Sequence, residues 1–391
     1  MVPYSSLLFF YILILALILA AILGVFGKSI KIYGMIINIF ILFIIFYNSL
    51  QQVIYLVFFV IWGFLLIESC LFLRRRSLVG FRRTFLQSIM ILLSLLPLAF
   101  VKFGNVLLHQ TVIGFLGISY LTFKIIQMLV EIYDNLIDKV NLFDYLYFLL
   151  FFPTISSGPI DRSRRFKSDT INIPSRKEYI EILGEGIWKI FKGAGYKFIL
   201  AYLISSYWMD KIPPAHNLMN TLSYMYAYSL YLFFDFAGYS LIAIGVSYIL
   251  GIKTPENFNK PFISQDIKEF WTRWHMTLSF WFRDFIYTRI VMNALKNKRL
   301  KKFKYVSSYA GYFITMGLMG LWHGTSVYFI LYGLYHGSLI VLTDLFQRKV
   351  PWYSKVKNNI AWKCFSIFVT FNLVCFGFLI FSGYLFIKTK S

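Results

Sequence analysis

Two histidines in the last third of the chain each follow a tryptophan within apolar sequence. His275 lies in WTRWHMTLSFWFRDF (271–285), and His323 lies in GLMGLWHGTSVYFILYGLYHG (317–337). An imidazole at membrane depth must find polar partners or a wet cavity, so ionisable groups there are functional candidates. Histidine also exchanges a proton near neutral pH, which suits it to general acid–base catalysis. We therefore take His275 and His323 as the first candidates for catalysis.

The residues around His275 predict one aromatic helix that starts near 264–266 and continues to Phe285. Helical spacing places one apolar set on a single face, and Ser279 lies one turn after the histidine. That face consists of Trp271, Trp274, His275, Leu278 and Phe282. Such a helix is too polar to face lipid and too aromatic for water. We expect it at the membrane interface or along an internal passage.

Small residues surround the second histidine. They are Gly317, Gly320 and Gly324, and they would let a backbone or a substrate approach His323 closely. His336 follows 13 residues later, which places it about 220° around a continuous helix, away from His323. It shares a face with Tyr332 and Tyr328, so we expect a hydrogen-bonded packing histidine. We expect His109 and His216 to be ordinary interfacial or loop residues.

The composition indicates an all-α polytopic membrane protein. Of 391 residues, 59% are hydrophobic and only 14% are charged, which would leave large apolar patches exposed on a soluble domain. Apolar runs of spanning length recur, so we expect about ten or eleven transmembrane helices. No linker or repeat is evident, so residues 1–391 are expected to form one transmembrane domain. Residues 1–105 would be N-terminal helices, 117–345 the motif-bearing region and 364–387 a C-terminal span.

Two segments interrupt the spanning pattern. Residues 144–155 are apolar but too short to cross, and Pro153, Gly158 and Pro159 prevent a helix from continuing. Open backbone at membrane depth is tolerated only against protein or water, so a re-entrant segment is expected there. An amphipathic piece over 178–190 would lie along the inner surface. The polar, proline-containing stretch 255–263 is expected to be a loop before the first histidine.

Basic residues cluster in a few loops and give a net charge of +22. The positive-inside rule makes these loops cytoplasmic and the N-terminus extracellular, whereas the side of the C-terminus stays open. The loop KNKRLKKFK (296–304) joins the two histidine segments and contains no acidic residue. Its charges either serve topology and contact with anionic lipid, or they dock an acidic soluble partner. The docking candidates are Lys298, Arg299, Lys301 and Lys302. No nucleic-acid partner is expected.

Cysteine and metal chemistry have no clear pattern in the sequence. Cys70, Cys364 and Cys375 lie in or beside apolar runs without paired spacing, so we expect small core residues. No cluster has the spacing of metal ligands, and no metal site is expected. No serine or cysteine is placed as a nucleophile that these histidines could activate. A covalent intermediate on this chain is therefore not expected.

The motifs together resemble a known family. The two histidine regions are similar to the paired histidine regions of the membrane-bound O-acyltransferase (MBOAT) family. Three further stretches resemble its teichoic acid D-alanylation branch in order and spacing: GISYLTFKIIQMLVEIYD (117–134), SSGPIDRSRRF (156–166) and YSLYLFFDFAGYSLIAIG (228–245). The resemblance covers about 117–345. It implies helices, with re-entrant and interfacial pieces, around an outer funnel and a narrow tunnel to the cytoplasm.

The resemblance also implies a reaction. His323 matches the invariant histidine of the family, at the base of the funnel, and His275 matches the second one. The donor would be D-alanine as a phosphopantetheine thioester on an acidic cytoplasmic carrier protein, with no bound cofactor. The acceptor would be a hydroxyl, finally on lipoteichoic or wall teichoic acid, in the cell membrane of a Gram-positive bacterium. Other membrane proteins of the D-alanylation system would be partners.

The remaining site residues are assigned within this scheme. His323 would be the general base, and the role of His275 is left open between base, donor positioner and tunnel wall. Trp271, Trp274 and Trp322 would shape the tunnel, with Ser279 beside them. Arg283 and Asp284 are candidates for orienting the donor or the acceptor.

Two alternatives remain. One is another MBOAT reaction, such as O-acetylation of an exported polysaccharide. A proton-coupled transporter or flippase could use His275, His323 and Asp235 as a relay, although no inverted repeat supports it.

Overall fold

The computed structural model describes residues 3–4, 6–76, 80–107 and 114–386. The chain is 79% helical, and the described residues contain no strand. The fold class predicted from the composition, an all-α polytopic membrane protein, is therefore confirmed. His109 lies outside the described residues.

The chain divides into two compact units. Unit 1 comprises residues 1–194 and 239–255, and unit 2 comprises residues 195–238 and 256–391. Residues of one long helix, α10 (Leu218–Ile249), belong to both units. The prediction of a single transmembrane domain stays a prediction, because two compact units can belong to one domain.

Among the described residues, eight α-helices lie wholly in unit 1. They are α1 (Leu7–Val25), α2 (Lys31–Phe46), α3 (Leu50–Arg75), α4 (Gly80–Leu107), α5 (Ile118–Tyr133), α6 (Leu142–Leu149), α7 (Ser163–Ile171) and α8 (Arg176–Ala194).

The α-helices that lie wholly in unit 2 include those of both histidine segments. After the π-helix Gly195–Leu200, they are α9 (Ala201–Tyr207), α11 (Ile267–Trp271), α12 (Met276–Phe282), α13 (Thr288–Lys296), α14 (Lys304–His323), α15 (Val327–Lys349), α16 (Tyr353–Val356) and α17 (Ile360–Phe381). A second π-helix, Arg283–Tyr287, separates α12 from α13.

Six helices of the described residues are long and apolar enough to cross a membrane: α1, α3, α4, α10, α15 and α17. The shorter helix α2 is also apolar. Many of their large apolar side chains are exposed, as expected for surfaces that contact lipid. The total of ten or eleven crossings stays a prediction.

Proline 97 interrupts the hydrogen bonding of α4, and a tryptophan compensates for it. Proline has no N–H, so it cannot bond the carbonyl four residues earlier, which here belongs to Leu93. The indole Nε1 of Trp62 on α3 donates to the Leu93 carbonyl oxygen at 3.1 Å. An unpaired carbonyl in hydrocarbon is costly, so this bond stabilises α4 against α3.

A polar stripe on α5 holds the segment predicted to be re-entrant. Lys124, Gln127 and Glu131 follow the i, i+3, i+7 spacing of one helix face, and all three are buried. The Lys124 Nζ donates to the carbonyl oxygens of Phe148 and Leu149 at 2.9 and 3.2 Å, and to Thr154 Oγ1 at 2.9 Å. This stripe was not predicted, although its helical spacing is visible in the sequence.

The same stripe reaches the motif at 156–166. Gln127 Nε2 donates to the Asp161 carbonyl oxygen at 2.9 Å, and Ser163 Oγ donates to Glu131 Oε2 at 3.0 Å. The stripe therefore orders the segment on both sides of its prolines and glycine. Segment 144–155 contains the end of α6 and a short 3₁₀ turn, Phe152–Thr154, which agrees with the prediction that it is too short to cross.

An ion-pair cluster completes this motif outside the spans. The Arg165 guanidinium bonds both Asp161 and Asp169, which lie four residues on either side of it. Burial alone would lower the pKa of Arg165, but the two carboxylates raise it above its ordinary value. Asp169 also accepts from the Lys253 N–H at 2.8 Å, so the cluster joins α7 to the loop after α10.

Candidate functional site

His275 occupies a break between two short helices. The predicted continuous helix from 264 to 285 is wrong, because α11 ends at Trp271 and α12 begins at Met276. His275 has φ 42° and ψ 53°, the left-handed region that non-glycine residues seldom occupy. The Met276 N–H donates to the Asn257 carbonyl oxygen at 2.8 Å, which holds the break in place. The backbone, and not a regular helix, therefore fixes the direction of this imidazole.

The side chains of the first histidine segment are nonetheless buried together. Trp271 and Trp274 are 8% and 5% exposed, and His275 is 4% exposed. The imidazole packs edge-on against Phe236 of α10, with 4.7 Å between ring centroids. Its Nε2 has no hydrogen-bond partner among the described residues. A buried polar nitrogen of this kind is available to a substrate or to ordered water.

His323 is the last residue of α14 and is more accessible than His275. Its ring packs edge-on against Phe381 at 4.9 Å, and lies 6.2 Å from Tyr332. The side chain of His323 is partly exposed, and so is that of the preceding residue, Trp322. A general base must be reached by its substrate, so exposure favours His323 over His275 for proton transfer.

One turn of α17 contacts both histidine segments. Phe378 packs on Trp274 at 4.7 Å, and Phe381, three residues later, packs on His323. The imidazoles of His275 and His323 are also near enough to interact electrostatically. The structure therefore brings the two predicted histidines into one site within unit 2. Sequence analysis did not single out these phenylalanines, because nothing distinguishes them from other residues of an apolar span.

Two of the three predicted glycines are required by close packing. A Cβ on Gly320 would lie 2.4 Å from the Phe329 carbonyl oxygen, and one on Gly324 would lie 2.4 Å from the Phe329 ring. Gly317 has open space around its Cα, so close approach does not explain it. Gly320 and Gly324 let α15 fold back directly against the end of α14, which places His323 next to Phe329 and Tyr332.

A cavity of about 220 Å³ lies beside the first histidine segment in unit 2. Trp271, Ser279 and Arg283, all predicted site residues, line it together with Thr315 and Met319 of α14. Its wall is mostly apolar and aromatic, with few polar groups, as is typical of ligand pockets.

The other predicted tunnel residues lie elsewhere. Trp274, Trp322 and Asp284 are not in the lining of this cavity. The Asp284 carboxylate accepts from Arg283 Nε at 2.8 Å, and both side chains are largely exposed. Ser279 Oγ donates to the Trp274 carbonyl oxygen at 3.1 Å, which links the cavity wall to the aromatic cluster.

The basic loop between the histidine segments is a solvent-facing surface. Lys298, Arg299, Lys301 and Lys302 are all exposed, and none makes an ion pair with a described residue. Asn297 orders the loop because its Oδ1 accepts from the N–H of Arg299 at 2.9 Å. The positive charges are therefore available to an acidic partner or to anionic lipid.

Several expectations for other residues need correction. His336 is fully buried between Tyr332 and Tyr335, so it is a packing residue. However, neither of its nitrogens has a hydrogen-bond partner among the described residues, so the expected hydrogen bond is wrong. Cys70 and Cys375 are buried as predicted, whereas Cys364 is exposed. His216 is an exposed loop residue, as expected.

No group of three or more potential metal ligands lies together in the part of the chain that the structure describes.

Comparison with known proteins identifies the family. The model of the MBOAT, membrane-bound O-acyltransferase family matches residues 84–387. The chain belongs to this family. The prediction of an acyltransferase is confirmed with it.

Individual MBOAT relatives cover nearly the whole chain. A teichoic acid D-alanyltransferase of Bacillus subtilis (strain 168) is 48% identical over 98% of each chain. One of Streptococcus thermophilus is 40% identical over 98% of this chain and 95% of its own. A probable alginate O-acetylase of Pseudomonas aeruginosa is 33% identical, but covers 68% of this chain and 48% of its own. The predicted resemblance to the teichoic acid D-alanylation branch is confirmed.

Proposed function

We propose that this MBOAT transfers D-alanine from a phosphopantetheine thioester to hydroxyls of teichoic acids outside the membrane. The thioester would be presented by an acidic carrier protein on the cytoplasmic side. The observation that carries the proposal is the 48% identity over 98% of both chains to a teichoic acid D-alanyltransferase. Other membrane proteins of the D-alanylation system would be its partners.

Histidine 323 is assigned the proton transfer. The acceptor hydroxyl oxygen attacks the thioester carbonyl carbon, and the imidazole takes the hydroxyl proton as the new C–O bond forms. The C–S bond then breaks, and the imidazolium returns the proton to the leaving sulfur. The products are an ester and a free pantetheine thiol. The partial exposure of His323 at the end of α14 supports this role.

Histidine 275 is assigned to the wall of the donor site. Its burial and its fixed left-handed backbone suit a group that orients a substrate more than one that exchanges protons with it. The neighbouring cavity would accept the pantetheine arm, because its apolar wall carries a few hydrogen-bonding groups. Thr315 Oγ1 and Trp271 Nε1 are buried, and neither has a hydrogen-bond partner among the described residues. Both could bond the amides of the arm.

Reconstitution tests the proposal directly. The protein in nanodiscs would receive carrier loaded with radiolabelled D-alanine and teichoic acid as acceptor. We expect ester formation by the wild type and loss of at least about a hundred-fold for His323→Ala, within the usual range for a general base. The matched control is His216→Ala, the same substitution at an exposed loop histidine, which should retain activity.

The same assay distinguishes D-alanyl transfer from acetyl transfer. Carrier loaded with acetate tests O-acetylation, the activity suggested by the more distant alginate O-acetylase relatives. Efficient acetyl transfer with no D-alanyl transfer would replace the proposal. Wild-type-like ester formation by correctly inserted His323→Ala would remove His323 as the base.

A further inference from the structure

An ion pair joins two helical segments of unit 2, one of which is long and apolar enough to cross a membrane. Lys197 lies in the π-helix Gly195–Leu200, and its Nζ bonds Asp235 near the middle of the apolar helix α10. Charged side chains within a span are costly unless they are paired, and they mark functional positions. The π-helix matters because such turns are rare and occur frequently at functional sites.

The residues around Asp235 form a wall of the histidine site. Phe233 packs on Phe258, Phe262 and Trp274, with centroid distances of 5.9, 5.1 and 6.1 Å. Phe236, the residue after Asp235, makes the edge contact with His275. The ion pair therefore acts on the short stretch of α10 that carries these two rings.

The π-helix supports the same stretch from its other side. Tyr196, the residue before Lys197, packs edge-on against Phe234 at 5.1 Å and lies 6.2 Å from Phe233. A ring contact and an ion pair at adjacent residues hold α10 in one rotation about its axis. A small rotation of α10 would move Phe236 away from the His275 imidazole. The imidazole would then be free to reorient, because its Nε2 has no hydrogen bond to a described residue.

We propose that Lys197 and Asp235 are positioning residues for acyl transfer, acting through Phe233 and Phe236 on Trp274 and His275. The kinetic test of this inference rests on the proposed function, whereas the chemical labelling of His275 does not. The pair touches no reacting group. Its effect is to keep the imidazole in one orientation, and misplacement by about 1 Å can slow an enzyme roughly a hundred-fold.

Kinetics with isosteric variants test the proposal first. Asp235→Asn and Lys197→Met should lower kcat by at least about ten-fold while KM for the loaded carrier changes less than about two-fold. Lys197→Arg keeps the charge and should retain most of the activity. The double variant Lys197→Met/Asp235→Asn leaves no unpaired charge, but it also lacks the ion pair between the π-helix and α10. Its kcat should therefore stay low. Full recovery by the double variant would overturn the proposal.

Chemical labelling gives a readout that needs no substrate. Diethyl pyrocarbonate modifies accessible imidazoles, and mass spectrometry reports each histidine. In the wild type, His275 should react slowly and the exposed His216 quickly. Asp235→Asn should raise the rate at His275 several-fold and leave His336 unchanged. A fall in kcat without a change at His275 would also overturn the proposal, even if the wild type used a different acyl group.

The control is another lysine–aspartate pair of similar exposure. Lys31 and Asp144 in unit 1 are joined at 2.7 Å, with side chains 26% and 22% exposed. Lys31→Met should leave kcat and the labelling of His275 near their wild-type values. An equal effect of Lys31→Met would show that loss of any such pair is sufficient, and would refute a specific role for Lys197.

Discussion

Reversing lysines of the basic loop should weaken carrier binding in a salt-dependent way. Lys298, Lys301 and Lys302 are exposed, so each change to glutamate should cost only about 0.5 kcal/mol of binding free energy. The three changes together amount to about 1.5 kcal/mol, which is roughly a ten-fold rise in Kd. Adding Arg299→Glu brings the total to about 2 kcal/mol, or roughly thirty-fold.

Salt gives the second part of this test. The Debye length falls from about 30 Å at 0.01 M salt to about 3 Å at 1 M. The difference in carrier Kd between wild type and variant should therefore nearly vanish at 1 M salt. Binding of carrier to the protein in nanodiscs would be measured by interferometry across this range. The association rate should carry most of the change, because rim charges steer encounter.

A matched triple variant separates docking from general charge. Lys349 at the end of α15, and Lys355 and Lys357 in and just after α16, are also exposed and belong to another basic stretch expected on the cytoplasmic side. Their replacement by glutamate should change Kd less than about two-fold, since long-range charge alone is screened. Equal losses from both triples, or an effect that persists at high salt, would refute docking at the basic loop. Unchanged affinity would direct attention to the aromatic segment 270–282.

Three further substitutions test the structural arguments. Lys124→Met should lower stability by about 3 kcal/mol or more, because it leaves several buried acceptors unpaired, and proteolysis after 150 should accelerate. Trp62→Phe should cost about 1–3 kcal/mol through the orphaned Leu93 carbonyl, with partial recovery when Pro97→Ala restores an N–H. His336→Leu, which removes both nitrogens at similar side-chain volume, should be neutral or stabilising in thermal unfolding, since no described group bonds them; a loss above about 2 kcal/mol would reveal a polar partner.

The long apolar helices could be predicted from the sequence because their signal is local. Apolar residues extend over 7–26, 53–73 and 364–387 in the sequence, and these stretches correspond to α1, α3 and α17, where length and composition are sufficient to predict a span. The histidine regions were likewise recognisable as motifs. Their convergence on one turn of α17 was not, because it depends on packing between residues about 100 and about 60 positions apart in the chain.

The break at His275 was unpredictable for a different reason. No glycine or proline marks it, and a regular 3, 4, 7 pattern of apolar residues continues through it. The left-handed conformation of a histidine is stabilised by tertiary contacts such as the bond from Met276 to Asn257. Local propensity carries no information about such a contact. The polar stripe of α5 is a third case. Its spacing on one helix face could be read from the sequence, but the groups that its side chains bond could not.

Helix α14 sets a length requirement on the donor. Its first residue, Lys304, ends the basic loop, and its last residue is His323. Twenty residues at about 1.5 Å each separate these two points by roughly 30 Å along the helix. A carrier held at the loop therefore could not bring its folded surface to the imidazole. If the proposed carrier docks there, the acyl group would have to arrive at the end of a thin, extended tether, and a donor with a short attachment would leave it near Lys304. Selection among acyl donors would then depend on reach as well as on recognition of the acyl group itself.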